Sequence, residues 1–334
     1  MIKYSVIVPA YNAVNTIDAC LNALIHQSIP ETDYEVIVVD DGSTDKTSEI
    51  IKSFPVKYIY QKNHGPASAR NHGAREAIGE IILFTDSDCV PISNWLQEMA
   101  KPFENIDVVA VKGAYKTSQR SLTARFAQVE FEERFEMLKK ADSIDMVDTY
   151  SAAFRKKTFW EAGGFDESFP VANNEDTDLS YKLSKMGYKM VFNPNAIVYH
   201  LNHPASIKRY ARLKFWRGYW RMVVYKRYPD KMVKDTYTPQ TLKLQILSLF
   251  LSLMCLSLIW LLPHLMLYPL IFSVILFCIS TLPFTLLAIK NDAVIGILSP
   301  FFISVRAASL GLGIIWGLIS ILFLSFRARR GISS

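Results

Sequence analysis

Residues 81–89 read "IILFTDSDC". Ile81, Ile82, Leu83 and Phe84 form a short unbroken apolar run, the pattern of a strand buried on both faces. Such a strand ordinarily runs into a neutral turn, but this one runs into Asp86 and Asp88. Taken alone, D-x-D fits a solvated turn whose carboxylates satisfy backbone N–H groups, or a pair of carboxylates aimed at one ligand.

Working outward, the first 115 residues alternate short apolar runs with helical patterns. "YSVIVPAYN" reads as a strand, followed by a helix with apolar residues at Ile17, Cys20, Leu21, Leu24 and Ile25 and Asn15 as its cap. "YEVIVVDDGSTD" is a second strand and turn, then come a helix near 47–54, a strand at 56–60 and a helix over 66–78. The 81–84 strand, a helix over 93–103 and the strand "VVAVKGAY" complete a βαβα order, which predicts an α/β fold with a mostly parallel sheet. After 115 come a charged helix near 121–140, the loop "EAGGFDESFPVANNEDTD", a helix "LSYKLSKMG" and a short strand ending at Tyr199 and His200.

The remainder has a different composition. From 244 to 326 the ionisable acids and bases are His264, Lys290, Asp292 and Arg306 alone, and the segments 244–262, 265–289 and 303–326 are each long enough to cross a bilayer. Between them and the α/β part, residues 201–243 carry eleven Lys or Arg against Asp230 and Asp235, within a net charge of +6. This belt suits anionic membrane lipids rather than nucleic acid, and residues 206–227 have the basic-aromatic pattern of an interfacial helix. The expected domains are 1–205 (the α/β part), 206–243 (basic helix and linker), 244–326 (transmembrane) and 327–334 (basic tail). Three crossings would put "RARR" (327–330) opposite the α/β part, against the positive-inside tendency, so one segment is a candidate for re-entrant or interfacial placement. Gly313 and Gly317 provide a G-x-x-x-G face for close helix packing. The four cysteines lie far apart, outside any zinc-like spacing, and read as reduced; no signal peptide precedes the first strand, so the α/β part is expected on the cytoplasmic side of a multi-pass membrane protein.

Ligands of an open parallel sheet bind beyond the carboxyl ends of its strands. Tyr11 and Asn12, Asp40 and Asp41, and Asp86 and Asp88 all fall there. The α/β part has no G-x-G-x-x-G or Walker A sequence. A rim of carboxylates repels a bare diphosphate unless a hard cation such as Mg²⁺ or Mn²⁺ joins them.

These segments together resemble the family 2 glycosyltransferases, inverting enzymes of the GT-A fold. The resemblance is carried by "VIVPAYN" (6–12), "VVDDGSTD" (38–45), "ARNHG" (69–73), "TDSD" (85–88), "GGFDE" (163–167) and "EDTDLSYKL" (175–183), and covers about residues 3–203. It implies that Ala10, Tyr11 and Asn12 line the nucleotide pocket, that Asp41 accepts a hydrogen bond from the base, and that Arg70 lies near the base or diphosphate, with Asn71 supporting its loop. It further implies that Asp86 faces the ribose or metal, that Asp88 holds the metal, and that His200 is a candidate third ligand. Asp176 would be the general base and Glu175 its positioning or acceptor-side neighbour; the helix N-terminus favours acids there in any case. Ser151 to Ala153 and "GGFDE" would shape the sugar and acceptor pocket, while His64, His72 and His203 read as surface residues. The Q-x-x-R-W signature of the processive synthases is replaced by "FWRGYWR", implying transfer of one sugar per encounter. The implied donor is a UDP-, dTDP- or GDP-linked sugar, and the acceptor a lipid-linked or surface glycan. A polyprenyl-phosphate sugar synthase needing no general base, and a non-catalytic membrane scaffold, are the competing readings.

Overall fold

A computed structural model of the chain describes residues 2–169 and 174–329. The chain divides into two compact units, Met1–Gln119 with Phe135–His203, and Arg120–Arg134 with Pro204–Ser334. The expected boundary at 205 differs from this at residues 120–134, which join the C-terminal unit. Part of the expected tail, residues 330–334, lies outside the described residues, as do residues 170–173 of the loop before Glu175.

The first unit is built on β1 (Tyr4–Ala10), α1 (Ile17–Ile25), β2 (Tyr34–Asp41), α2 (Thr47–Lys52), β3 (Lys57–Gln61), α3 (Pro66–Glu76), β4 (Ile81–Phe84), β5 (Cys89–Pro91), α4 (Trp95–Ala100) and β6 (Val108–Lys116). A long helix, α5 (Leu122–Leu138), runs out of it, and β7 (Ala152–Arg155), α6 (Lys156–Glu161), α7 (Glu175–Lys185) and β8 (Lys189–His200) complete it. The strands form one eight-stranded sheet in the order β3-β2-β1-β4-β7-β6-β8-β5. β3, β2, β1 and β4 are parallel, as is the β6–β8 pair, whereas β7 and β5 run antiparallel to their neighbours. The sheet is therefore mixed: β7 is antiparallel to both of its neighbours and so enters without a crossover helix. Helix α1 starts at Ile17 with Thr16, not Asn15, at its cap, and β8 is a twelve-residue strand rather than a short one.

The apolar runs are buried as their sequence requires. Val6–Val8, Ile37–Val39 and Ile82–Phe84 are fully buried, as strands covered on both faces must be. At the end of β4, Phe84 packs against Phe154, Phe159 and Phe165 at ring-centroid distances of 6.0, 5.6 and 5.2 Å. Aromatic pairs of this kind add about 0.5–1.5 kcal/mol each beyond area burial, so the residue preceding "TDSD" is held by an aromatic cluster.

The second unit comprises the first half of α5 with α8 (Ile207–Arg227), α9 (Pro229–Val233), α10 (Gln240–Leu258), α11 (Pro263–Asn291) and α12 (Ala293–Arg329). Its core joins Phe126, Ala127 and Val129 to Tyr210, Phe284, Ala288, Ile295, Phe302 and Ile303. Beside it Glu130, fully buried, pairs with Lys214 at 2.9 Å and Arg306 at 3.1 Å and accepts the Tyr210 hydroxyl at 2.9 Å. Arg306 also donates to Gln245 at 2.8 Å, so the buried carboxylate is surrounded by donors, the condition for tolerating such a charge. This network, together with the Phe126 cluster, is why residues 120–134 leave the sheet. The Gly313–Gly317 face meets α8: a Cβ on Gly313 would lie 2.0 Å from the Phe215 carbonyl oxygen. Three helices, Gln240–Leu258, Pro263–Asn291 and Ala293–Leu322, are long and apolar enough to cross a membrane, the third beginning ten residues before the expected segment.

Candidate active site

Between β1 and its neighbours β2 and β4 the chain order switches direction, and the carboxyl ends of all three strands lie side by side. Ala10, at the end of β1, is buried opposite Asp40; Tyr11 projects, about half exposed, and Asn12 takes a left-handed backbone with φ 49°. Asn12 Oδ1 accepts the Thr44 N–H at 2.8 Å and its own N–H donates to Ser43 Oγ at 3.0 Å, which clips the "AYN" turn to the "DGST" turn. Asp40 is enclosed, accepting from the Ser43 N–H at 2.9 Å and the Tyr58 hydroxyl at 3.0 Å. Asp41 Oδ1 accepts from Gln61 at 2.8 Å and the His64 N–H at 2.9 Å, and Oδ2 from the Gly65 N–H at 2.9 Å. Since each carboxylate oxygen offers about two lone-pair sites, Asp41 Oδ2 retains one.

The D-x-D segment is fixed by β5, a three-residue strand absent from the sequence-based expectation. β5 pairs antiparallel with the end of β8, setting Cys89 opposite His200, and the Leu201 N–H donates to the Asp88 carbonyl at 2.9 Å. Residues directly opposite in an antiparallel pair present their side chains on one face. That rule places Cys89 with His200; Asp88, just before β5, also comes within 3.8 Å of His200 Nε2 through its Oδ1, and one ligand atom from each of Asp88, Cys89 and His200 falls within 4.8 Å of the others. Asp88 and His200 offer the carboxylate oxygen and imidazole nitrogen that a divalent cation such as Mn²⁺ accepts, whereas the buried Cys89 thiol does not suit such an ion, so Asp88 and His200 are the donors of this cluster that fit.

Asp86 and Arg70, both expected near the donor, are joined to each other. Arg70, 3% exposed, donates through Nη2 to Asp86 Oδ1 at 2.7 Å and through Nη1 to Glu175 Oε1 at 2.8 Å. The guanidinium thus joins the strand that carries D-x-D to the N-terminus of α7. Burial, followed by the charge of Asp176, pushes the Glu175 carboxyl up to about 7, with Arg70 pulling the other way. Glu175 Oε2 has no hydrogen-bond partner among the described residues. Asp176, next in the chain and half-buried, accepts the Thr177 N–H at 2.7 Å through Oδ1.

A second clasp joins "ARNHG" to "GGFDE". Asn71 Nδ2 donates to the Phe165 carbonyl and to Glu167 Oε1, both at 2.8 Å, and Asn71 Oδ1 accepts the Phe165 N–H at 3.0 Å. Gly164 has φ +69°, and a Cβ there would lie 2.8 Å from Asn71 Oδ1. His203, expected at the surface, is buried, its ring centroid 4.7 Å from that of His200 and 5.0 Å from that of Tyr115; its N–H donates to Gln119, which turns it inward. Sequence reasoning also passes over Lys112, fully buried on β6, which ion-pairs with Asp148 and donates to the Tyr150 hydroxyl at 2.9 Å. The signal that could find it is a lysine inside the otherwise apolar strand run "VVAVKGAY".

A mixed α/β sheet with an acidic rim at the switch between β1 and β4 defines a GT-A domain. A solved structure, the mannosyltransferase PcManGT from Pyrobaculum calidifontis in complex with GDP-Man and Mn²⁺, shares the fold with a TM-score of 0.62 at 20% identity, over 95% of this chain and 87% of that one. Residues 5–163 match the model of Glycosyl transferase family 2, so this stretch of the chain carries a glycosyltransferase domain similar to that family. Curated relatives include the glycosyltransferase AglE of Haloferax volcanii, 28% identical over 206 residues, covering 60% of this chain and 67% of that one. Chondroitin synthase of Escherichia coli is 28% identical over 241 residues, covering 60% and 35%, and validoxylamine A glucosyltransferase of Streptomyces hygroscopicus subsp. jinggangensis is 29% identical over 221 residues, covering 56% and 52%. The chain thus spans between about a third and two thirds of the length of these relatives.

Proposed function

We propose that the chain is a membrane-anchored inverting glycosyltransferase that moves one sugar from a nucleoside-diphosphate sugar to a hydroxyl of a lipid-linked or surface glycan at the cytosolic membrane face. The observation that carries this reading is the approach of Asp88 to His200 at 3.8 Å, which assembles metal donors beside the rim where a nucleotide binds. Asp88 and His200 would hold Mn²⁺ or Mg²⁺, with Asp86 contributing its Oδ2, since Oδ1 is committed to Arg70. The imidazole favours Mn²⁺ over Mg²⁺. When bound, such a cation offsets the charge of a departing diphosphate. The Mn²⁺ found with GDP-Man in the P. calidifontis mannosyltransferase supports this choice.

The chain's own residues supply the rest. The lone-pair site left on Asp41 Oδ2 accepts a base N–H, and Ala10, Tyr11 and Asn12 border the nucleotide. Asp176 takes the proton of the acceptor hydroxyl while its oxygen bonds to the anomeric carbon; the bond from that carbon to the diphosphate breaks, and configuration inverts in one displacement. Glu175 and Arg70 fix the start of α7 and hence Asp176. The apolar helices α10, α11 and α12 anchor the chain, and the basic face of α8 meets anionic lipid headgroups.

The test measures nucleoside diphosphate release from a panel of UDP-, dTDP- and GDP-sugars by detergent-purified protein, with and without lipid extract, alongside Mn²⁺ binding. Asp88→Ala and His200→Ala should each weaken Mn²⁺ binding and abolish transfer. Wild-type turnover in excess EDTA, or in Asp88→Ala, would reject the assignment.

A further inference from the structure

The β5–β8 pairing leaves one donor unused by the reading above. Asp88 Oδ1 stands 3.8 Å from His200 Nε2 and 3.9 Å from Cys89 Sγ, and one ligand atom from each of the three residues lies within 4.8 Å of the others. Asp88 Oδ1 is thus nearly equidistant from an imidazole and a thiol. The sequence conceals this set, because Cys89 and His200 are far apart in the chain and meet as opposed residues of an antiparallel pair.

A thiol in that place selects among metals. Mn²⁺ and Mg²⁺ prefer oxygen donors, whereas carboxylate, imidazole and thiolate together make a zinc donor set, and zinc also binds a given site more tightly than manganese. The distances agree with zinc. In a tetrahedral site with bonds of about 2.3 Å to sulfur and about 2.0–2.2 Å to nitrogen and oxygen, an oxygen ligand lies about 3.4 Å from a nitrogen and about 3.6 Å from a sulfur. The Asp88–His200 and Asp88–Cys89 separations are a few tenths of an ångström wider than these, and the Cys89–His200 gap has the furthest to close. Cys89 is buried, but Asp88 and His200 are half-buried, so an ion reaches the thiol past them. His200 Nδ1 accepts the Asn202 N–H at 3.2 Å, a contact given up when ligation at Nε2 moves the ring proton to Nδ1. That cost is common to every metal bound at Nε2 and does not discriminate between zinc and manganese.

We propose that Asp88, Cys89 and His200 form a zinc site that competes with the ion used in transfer. As the Zn–S bond forms, the Cys89 thiol proton passes to solvent; the Asp88 carboxylate and the His200 Nε2 lone pair supply the other two protein bonds, and nothing is oxidised or reduced. A tetrahedral ion so held keeps one open position. A six-coordinate Mn²⁺ on Asp88 and His200 keeps several, enough for two diphosphate oxygens, so zinc in its place blocks transfer. Zinc binding stands on the donor geometry alone, whereas its effect on transfer rests on the manganese reading above.

Detergent-purified Cys278→Ser protein, freed of its exposed thiol, is stripped of metal and titrated with Co²⁺, the spectroscopic stand-in for zinc. Thiolate-to-cobalt charge-transfer absorption should appear, be bleached by one equivalent of Zn²⁺, and be lost on the further replacement Cys89→Ser. Its persistence in that variant, or its absence from the parent, overturns the proposal. X-ray absorption at the zinc edge of the parent needs no change at Cys89: one sulfur at about 2.3 Å is expected, and a shell of nitrogen and oxygen alone overturns the site. Zinc affinity should fall at least about a hundredfold in Cys89→Ser, the upper end for loss of even an outer-shell partner, while Mn²⁺ affinity changes little. An equal fall for both ions would mean that Cys89 merely shapes the turn, and overturns the assignment. A parent that binds zinc as expected but no Mn²⁺ upholds the zinc site while removing the manganese reading.

Discussion

Arg70 donates to Asp86 at 2.7 Å and to Glu175 at 2.8 Å, so one buried guanidinium joins the D-x-D turn to the helix that starts at Glu175. Removing it leaves Glu175 buried with no cation in contact, a change that costs about 3–5 kcal/mol where a buried pair is broken. Arg70→Met should therefore unfold well below the wild-type temperature and lose transfer. The double variant Arg70→Met/Glu175→Leu should regain most of the stability without the activity, because the orphaned carboxylate is gone but the bridge is not restored. Recovery of both by the double variant would show that the bridge has no part in positioning Asp176.

The pH dependence of stability tests the same group from another side. Glu175 titrates at about 7 in the folded chain, against about 4.3 for an unfolded glutamate. A carboxyl raised on folding favours the fold while protonated, so its contribution is fully present below about pH 4 and is lost as pH climbs towards 7. The span corresponds to roughly 4 kcal/mol. The stability of Glu175→Gln relative to wild type should rise across that interval in denaturant titrations and level off above it. A difference that stays flat from pH 5 to 8 would contradict the raised carboxyl.

How much of this was legible in the sequence depends on the range over which each feature is determined. Strands β1, β2 and β4 are written in contiguous apolar runs, and the acids that follow them fall on the rim that the strand order requires. The Arg70–Glu175 contact joins residues 105 apart, and nothing local to "ARNHG" or "EDTD" specifies it. β5 is three residues long, below the length at which an apolar pattern carries information, and its register on β8 alone brings His200 to Asp88. The departure of α5 was hidden for a related reason. Phe126, Glu130 and Arg134 look like an ordinary helix face until Lys214 and Arg306, far along the chain, are placed against Glu130.

Gly164 tests the clasp between the two motifs. Its φ of +69° disfavours any side chain, and a Cβ would stand 2.8 Å from Asn71 Oδ1. Gly164→Ala should lower stability by about 1–3 kcal/mol, the range for a residue forced into the left-handed region. It should also loosen the Asn71–Phe165 hydrogen bonds, detectable as faster amide exchange at Phe165. Unchanged protection there would mean that the loop accommodates the methyl by moving elsewhere.

The base assignment is tested by a single oxygen. Asp176 sits beside Glu175 at the start of α7, and its Oδ1 is held by the Thr177 N–H at 2.7 Å, so Oδ2 is the atom left to meet an acceptor hydroxyl. Asp176→Asn preserves size and the helix start while removing the ability to take a proton. Turnover with a hydroxyl acceptor should fall by about a hundred- to ten-thousandfold, the range contributed by a positioned base. The donor KM should change little, because the proposed reading assigns the nucleotide to Asp41 and Asp88 and not to Asp176. A variant that keeps wild-type kcat would point to an acceptor already ionised, a lipid phosphate, whose oxygen needs no base. Replacing the extract with a polyprenyl phosphate in the same assay would then restore full transfer in both proteins.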